Sequence, residues 1–172
     1  MEMTGSRQIA APREVVWAAL NDPEVLRLAI PGCQELTGSP EDGFEAMVKQ
    51  KVGPVSATFA GRVSLSDIVP LESYTISGEG KGGAAGHAKG SAAVALADAE
   101  GGTLLTYDVK AAVGGKIAQL GSRLIDGAAK NMADKFFDNF RAALEPAPEG
   151  SEEELAEGKK PGWFGRMIGR KG

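Results

Sequence analysis

Lys116–Leu144 reads KIAQLGSRLIDGAAKNMADKFFDNFRAAL, and its spacing decides the fold. Ile117, Leu120, Leu124, Ala128, Met132, Phe136, Phe140 and Leu144 recur every three or four residues. That period puts them on one face, so the stretch predicts one long helix with an apolar stripe. An amphipathic helix of that length must bury its stripe against another element. The partner has to come from the residues before it.

Those residues change period. From Gln34 to Val113 apolar and polar positions alternate, the pattern of strands with one buried face. Phe44, Ala46 and Val48 alternate with Glu45, Met47 and Lys49. Val55, Ala57, Phe59, Gly61, Val63 and Leu65 form a second set, and Tyr74 and Ile76 a third. Ala88, Gly90, Ala92, Val94 and Leu96 form a fourth, and Leu105, Tyr107, Val109, Ala111 and Val113 a fifth. The turn signals SPEDG, VGP, VPLE and DAEGG fall between them. The pattern predicts an antiparallel sheet of about six strands after a first, N-terminal one.

The N-terminal segment SRQIAAPREVVWAALND reads as a strand entering a helix. Pro12 suits a first helical turn, and Val16, Trp17 and Leu20 share a face. Asp22 followed by Pro23 caps and starts a second short helix, which Pro31-Gly32 ends. The expected architecture is therefore α+β: a curved antiparallel sheet of about seven strands gripping a long C-terminal helix, with two short helices after the first strand.

The inward set is small: Ala46, Ala57, Gly61, Gly78, Gly80, Ala88, Gly90, Ala92 and Ala111. Two structures satisfy it. The glycines can let helix and sheet backbones approach closely. Alternatively the helix stands off, only partly compensated by Phe136, Phe137 and Phe140, and leaves an apolar cavity for a ligand.

Charge divides the chain of 172 residues. Residues 1–144 are mildly acidic, residues 145–158 carry six glutamates and no base, and residues 159–172 carry five basic groups and no acid. The three parts read as a domain, an acidic linker that does not fold, and a basic tail. Fourteen linker residues give roughly 20 Å of reach. In the tail, Trp163, Phe164, Met167 and Ile168 fall on one helical face, with Lys159, Lys160, Arg166, Arg170 and Lys171 supplying charge. That is the layout of an amphipathic segment at an anionic membrane surface, ordered only on binding because Gly165 and Gly169 weaken the helix. Docking on an acidic protein or on the chain's own domain fits the same residues. The acidic main domain argues against nucleic acid.

Other motifs carry little chemistry. Gly78–Gly83, GEGKGG, spells G-x-G-x-x-G, but a strand rather than a helix follows, and Gly82 stands where a Walker motif needs Ser or Thr. A flexible hairpin is the expectation. His87 is the sole histidine and lacks a neighbouring partner, and Cys33 is the sole cysteine, so no catalytic residue, metal set or disulfide is expected. No secretory signal or membrane-spanning stretch is read in the sequence.

Three stretches carry a resemblance. APREVVWAALNDPEVLRLAIPGCQEL (11–36), VGPVSATFAGRVSL (52–65) and GGKIAQLGSRLIDGAAKNMADKFFDNF (114–140) are similar to the carbon monoxide dehydrogenase CoxG family over about residues 1–144. That family belongs to the START-like (SRPBCC) helix-grip superfamily, whose members mostly hold apolar ligands under the long helix. The resemblance implies a molybdenum-containing hydroxylase of the carbon monoxide dehydrogenase type as partner. It implies two roles: recruiting that enzyme to the membrane, and carrying a respiratory quinone, menaquinone or ubiquinone, as bound cargo. No covalent cofactor and no metal are expected.

The leading expectation is a non-enzymatic quinone carrier, cytoplasmic and peripheral at the inner face of the cell membrane. Trp17, Leu20, Leu26, Phe59, Leu120, Leu124, Met132, Phe136 and Phe140 would enclose the ligand. Tyr74 and Tyr107 would offer hydroxyls to a quinone oxygen. The alternative is a recruitment or assembly factor whose cavity is incidental. An enzyme would need a polar constellation inside, for which only Tyr74, Tyr107 and Arg7 are available.

Overall fold

The computed structural model describes residues 1–145, and beyond them only a backbone pairing of Pro161–Gly162 with Phe164–Gly165. Beyond Glu145, which caps the C-terminal helix, the expected linker lies outside the described residues, as do the side chains assigned to a membrane surface.

In chain order the elements are β1 (Glu2–Ile9), α1 (Arg13–Leu20), α2 (Pro23–Ala29), β2 (Cys33–Ser39), β3 (Gly43–Val52), β4 (Val55–Val69), β5 (Ser73–Lys81), β6 (His87–Ala99), β7 (Gly102–Gly114) and α3 (Ser122–Leu144). Short 3-10 turns occupy Gly83–Ala85 and Lys116–Leu120. The seven strands form one antiparallel sheet in the order β1-β7-β6-β5-β4-β3-β2. Six consecutive strands pair as hairpins, so the local turns set their registers. The Gly53-Pro54 loop joins β3 to β4 with Val52 opposite Val55, and Gly53 adopts φ +58, a conformation glycine takes without strain. Only β1 travels: α1 and α2 carry the chain from the β1 edge to the β2 edge.

The helix starts follow local chemistry. Pro12 stands immediately before α1 as its N-cap residue. Asp22 caps α2 by accepting from the Glu24 backbone N–H at 2.9 Å, with Pro23 in the first turn where no N–H is needed.

The long helix is shorter than its period predicts. Lys116–Leu120 forms a 3-10 turn, Gly121 breaks the chain at φ +95, and α3 begins at Ser122. Ile117 and Leu120 are three apart in either helix type, so the apolar spacing runs through the break unaltered.

The core is gathered at one end of the sheet. Ile9, Val16, Leu105 and Phe140 are fully buried there, with Tyr74, Val94, Leu96 and Phe137 around them. Phe136 stacks on Phe140 with centroids 5.6 Å apart, and Phe137 stands edge-on to both. Thr103, also fully buried, donates its hydroxyl to the Ala11 carbonyl at 2.7 Å, which satisfies it. α3 also lies along α2, where Asn139 donates to the Ala29 carbonyl at 3.1 Å.

Candidate ligand-binding site

Strand register converts the small inward residues into two rows. Ala46, Gly61, Gly80 and Ala88 stand opposite one another across β3, β4, β5 and β6. Val63, Gly78, Gly90 and Ala111 form the next row across β4 to β7. These rows lie beyond the packed end, on the face that carries Tyr74, Val94 and Leu105.

The glycines decide between close approach and hollow. A Cβ built on Gly61 would meet only the carbonyls of Ala46 and Glu79, each at 3.8 Å. On Gly80 it would meet only the Ala60 carbonyl, at 4.0 Å. No atom of α3 comes within 4 Å of either position, so among the described residues these glycines do not serve helix–sheet contact. The half-buried positions along this part of α3 are Ile125, Ala128, Ala129, Ala133 and Asp134. Gly61 and Gly80 thus lie under a helix face that presents mostly alanines and no side chain that reaches them.

α3 spans this gap as a bridge. Its C-terminal half is anchored by Phe137 and Phe140 in the core. Near its N-terminus Leu124 reaches the turn after β3, 3.4 Å from where a Gly53 Cβ would lie. The sheet carries an open concavity of about 300 Å³ formed by strand residues alone, among them Val63, Ile76, Gly78, Gly90, Val109 and Ala111. Its walls are apolar; Gly78 makes room for the Val63 side chain and Gly90 for the Lys110 carbonyl of the neighbouring strand.

The expected lining residues divide between two places. Leu20, Tyr74 and Phe140 are buried in the packed end, where Trp17 meets Tyr74 edge-on at 5.4 Å. They belong to the core rather than to the open surface. Burial also pushes the Tyr74 hydroxyl's pKa upward, so it stays protonated. Phe59, Tyr107, Leu120 and Phe136 are half-buried, Leu26 is half-buried on α2, and Leu124 and Met132 are 42% and 37% exposed. Phe59 lies at the far end, its ring against Gly82 at the close of β5.

The structure gives Arg7 a central place that its sequence context does not announce. Arg7 faces inward from β1, opposite Leu105 on β7. Its Nη2 donates to the Tyr107 hydroxyl at 3.1 Å and to Asp134 Oδ1 of α3 at 2.7 Å. The guanidinium carbon lies 5.0 Å from the Phe137 ring centre and 5.9 Å from that of Tyr107, within cation–π range. Burial works against its charge, but the bonds to Tyr107 and Asp134 outweigh it and raise its pKa. Lys130 also donates to Asp134, at 3.0 Å, and the two donors hold that carboxyl below its ordinary range. Two-residue parity from buried Ile9 points inward at Arg7 and Gly5, which is the signal that identifies it. Gly5 is required: a Cβ there would strike the Tyr107 ring.

The remaining motif residues are placed plainly. GEGKGG closes β5 and turns through Gly83–Ala85 into β6, a hairpin connection. His87 is exposed at the start of β6. Cys33 donates its thiol to the Glu35 carbonyl at 3.3 Å, and burial raises its pKa, which favours the unreactive thiol. Among the described residues no group of three or more His, Cys, Asp or Glu could hold a metal, and no helix is long and apolar enough to cross a membrane.

Comparison with known proteins agrees with this architecture. The family model for CoxG, of carbon monoxide dehydrogenase, matches residues 5–145. Among solved structures, a conserved protein from Geobacillus kaustophilus is similar at 30% identity and TM-score 0.78, over 83% of this chain and 94% of that one. An uncharacterized protein from Rhizobium leguminosarum shares 20% identity at TM-score 0.66, over 84% of this chain and 94% of its own. A protein from Chromobacterium violaceum shares 17% at TM-score 0.63, over 85% of this chain and 99% of its own. The last two show the helix-grip fold alone. No curated protein matches the sequence.

Proposed function

The chain belongs to the CoxG family of carbon monoxide dehydrogenase, and from that premise we propose that it is a non-enzymatic carrier of an isoprenoid quinone. The domain takes the quinone into the hollow between sheet and α3. It passes the quinone between the membrane and a molybdenum-containing hydroxylase of the carbon monoxide dehydrogenase type.

One observation carries this reading. Gly61 and Gly80 have no atom of α3 within 4 Å, and the concavity beside them is apolar. A folded interior closes such gaps unless something occupies them. A flat aromatic head with a branched hydrocarbon chain has the right character for such walls. The basic, aromatic tail sequence supports delivery to an anionic membrane.

Purification of the full chain from a quinone-containing bacterium, followed by solvent extraction and mass spectrometry, tests the carrier reading. An isoprenoid quinone recovered in near-stoichiometric amount is the expected result. A protein that is always empty, and binds no quinone on titration, removes it.

A further inference from the structure

The wall between β1 and α3 is not continuous. A lateral opening of about 480 Å³ is lined by Met3, Gly5, Arg7, Tyr107, Asp126 and Lys130, among others. It shares no lining residue with the apolar concavity but adjoins it through the strand pairing: Tyr107 stands opposite Gly5, and Met3 stands opposite Val109, which lines the concavity. The opening lies at the β1 edge, with Met3, Gly5 and Arg7 on the side that faces the concavity.

Arg7 stands in that opening with unused donors. A guanidinium has five N–H groups. Both protein contacts of Arg7 are made by Nη2, and among the described residues Nε and Nη1 have no protein acceptor. The side chain is only 17% exposed and is pinned by Asp134 and two aromatic rings. A positioned cation with free donors presents a fixed point for an oxygen acceptor. The Tyr107 hydroxyl accepts from Arg7, so its own hydrogen is available to a second acceptor.

The surrounding charges select the kind of acceptor. Arg7 and Lys130 are balanced by Asp134 and Asp126, with Glu2 also on the rim. An incoming carboxylate would find little net positive potential and several carboxylates nearby. A neutral carbonyl gains the hydrogen bonds without that repulsion.

We infer that Arg7, seconded by Tyr107, is the anchoring point for the neutral carbonyl head of the apolar ligand, whose chain lies along the Val109 side of the hollow. This rests on the carrier reading and adds the specificity determinant. It separates a quinone from a hydrocarbon of the same shape and from a fatty acid. Asp134 is a positioning residue: it holds the guanidinium and touches no ligand.

The test titrates the full-length protein, by calorimetry, with three probes. They are a menaquinone bearing one isoprenyl unit, the corresponding prenylated methylnaphthalene without carbonyls, and oleate. The wild type is expected to bind the quinone about tenfold or more tightly than either other probe. Arg7→Met is expected to lose that preference while keeping naphthalene affinity within about twofold, and Tyr107→Phe to lose about threefold for the quinone alone. Infrared difference spectra of the wild-type complex give a readout that needs no variant: the quinone carbonyl band should shift to lower frequency. An unshifted band, equal affinity for quinone and naphthalene, or equal loss of both probes in Arg7→Met overturns the anchor. Equal binding of quinone and naphthalene leaves the carrier reading standing without an anchor. Failure to bind either one removes the carrier reading itself.

Discussion

Gly61 and Gly80 stand opposite each other on β4 and β5, and neither has a helix atom within 4 Å. A row of small residues beneath a bridging helix is open volume, and volume can be filled by mutation. Gly61→Phe places a ring where a Cβ meets only two carbonyls at 3.8 Å. The variant should fold, with a melting temperature within a few degrees of the wild type, while its quinone content falls about tenfold or more. Circular dichroism and mass spectrometry of the extracted protein measure the two effects. A well-folded variant with undiminished quinone would place the ligand elsewhere.

The packed end should respond in the opposite way. Phe140 is fully buried and stacked on Phe136. Phe140→Ala removes a ring from a close-packed site and should cost about 3–5 kcal/mol. Urea denaturation followed by fluorescence gives the value. A cost under about 1 kcal/mol would mean that this end also contains free volume.

The Arg7–Asp134 pair joins β1 to α3 and should leave a signature in pH. Asp134 titrates below its ordinary value because Lys130 and Arg7 donate to it. A depressed carboxylate contributes stability above its unfolded pKa, near 3.9, and loses it as pH falls through the lower folded value. The melting-temperature difference between wild type and Asp134→Asn should therefore be constant from pH 7 to about pH 4 and shrink below that. A difference that persists undiminished at about pH 2 would show that the aspartate acts by shape alone.

Cys33 makes a chemical prediction. Its thiol bonds to the Glu35 carbonyl and burial raises its pKa. Alkylation by iodoacetamide at about pH 7 should be slower than for free cysteine and should accelerate with pH to a midpoint above the usual thiol value. Rapid alkylation at neutral pH would reopen a reactive role for Cys33.

The tail can be examined through lipid. Full-length protein should float with vesicles containing phosphatidylserine or phosphatidylglycerol, and deletion of 159–172 should abolish flotation. Five basic residues should make binding weaken steeply with salt. Flotation that survives the deletion would assign membrane contact to the domain itself.

Much of the fold is legible because its signals are periodic. Alternation from Phe44 to Val113 assigns strand faces, and the registers place Ala46 against Gly61 and Gly80 against Ala88 as that alternation requires. The Asp22 cap and the turn sequences mark the element ends. The break at Gly121 is hidden because Ile117, Leu120 and Leu124 keep helical spacing across it. Arg7 is hard to single out for a similar reason: β1 turns Met3, Gly5 and Arg7 inward with Ile9, and that set is not apolar enough to announce a buried face.

The sequence by itself determined which residues face inward, since side-chain direction follows a period of two in strands and 3.6 in the helix. It also determined that the inward set was too small to fill a helix–sheet interface. It left two solutions, a close approach or a gap, because composition does not state the distance between layers. Only the tertiary structure decided that distance. Phe137 and Phe140 wedge one end of α3 over the core, Leu124 rests on the Gly53 turn, and between them Gly61 and Gly80 have no α3 atom close by. The same packing brought Arg7, Tyr107 and Asp134 together from β1, β7 and α3, residues up to 127 positions apart in the chain. No local pattern records such a meeting, because it depends on where separately folded elements come to rest.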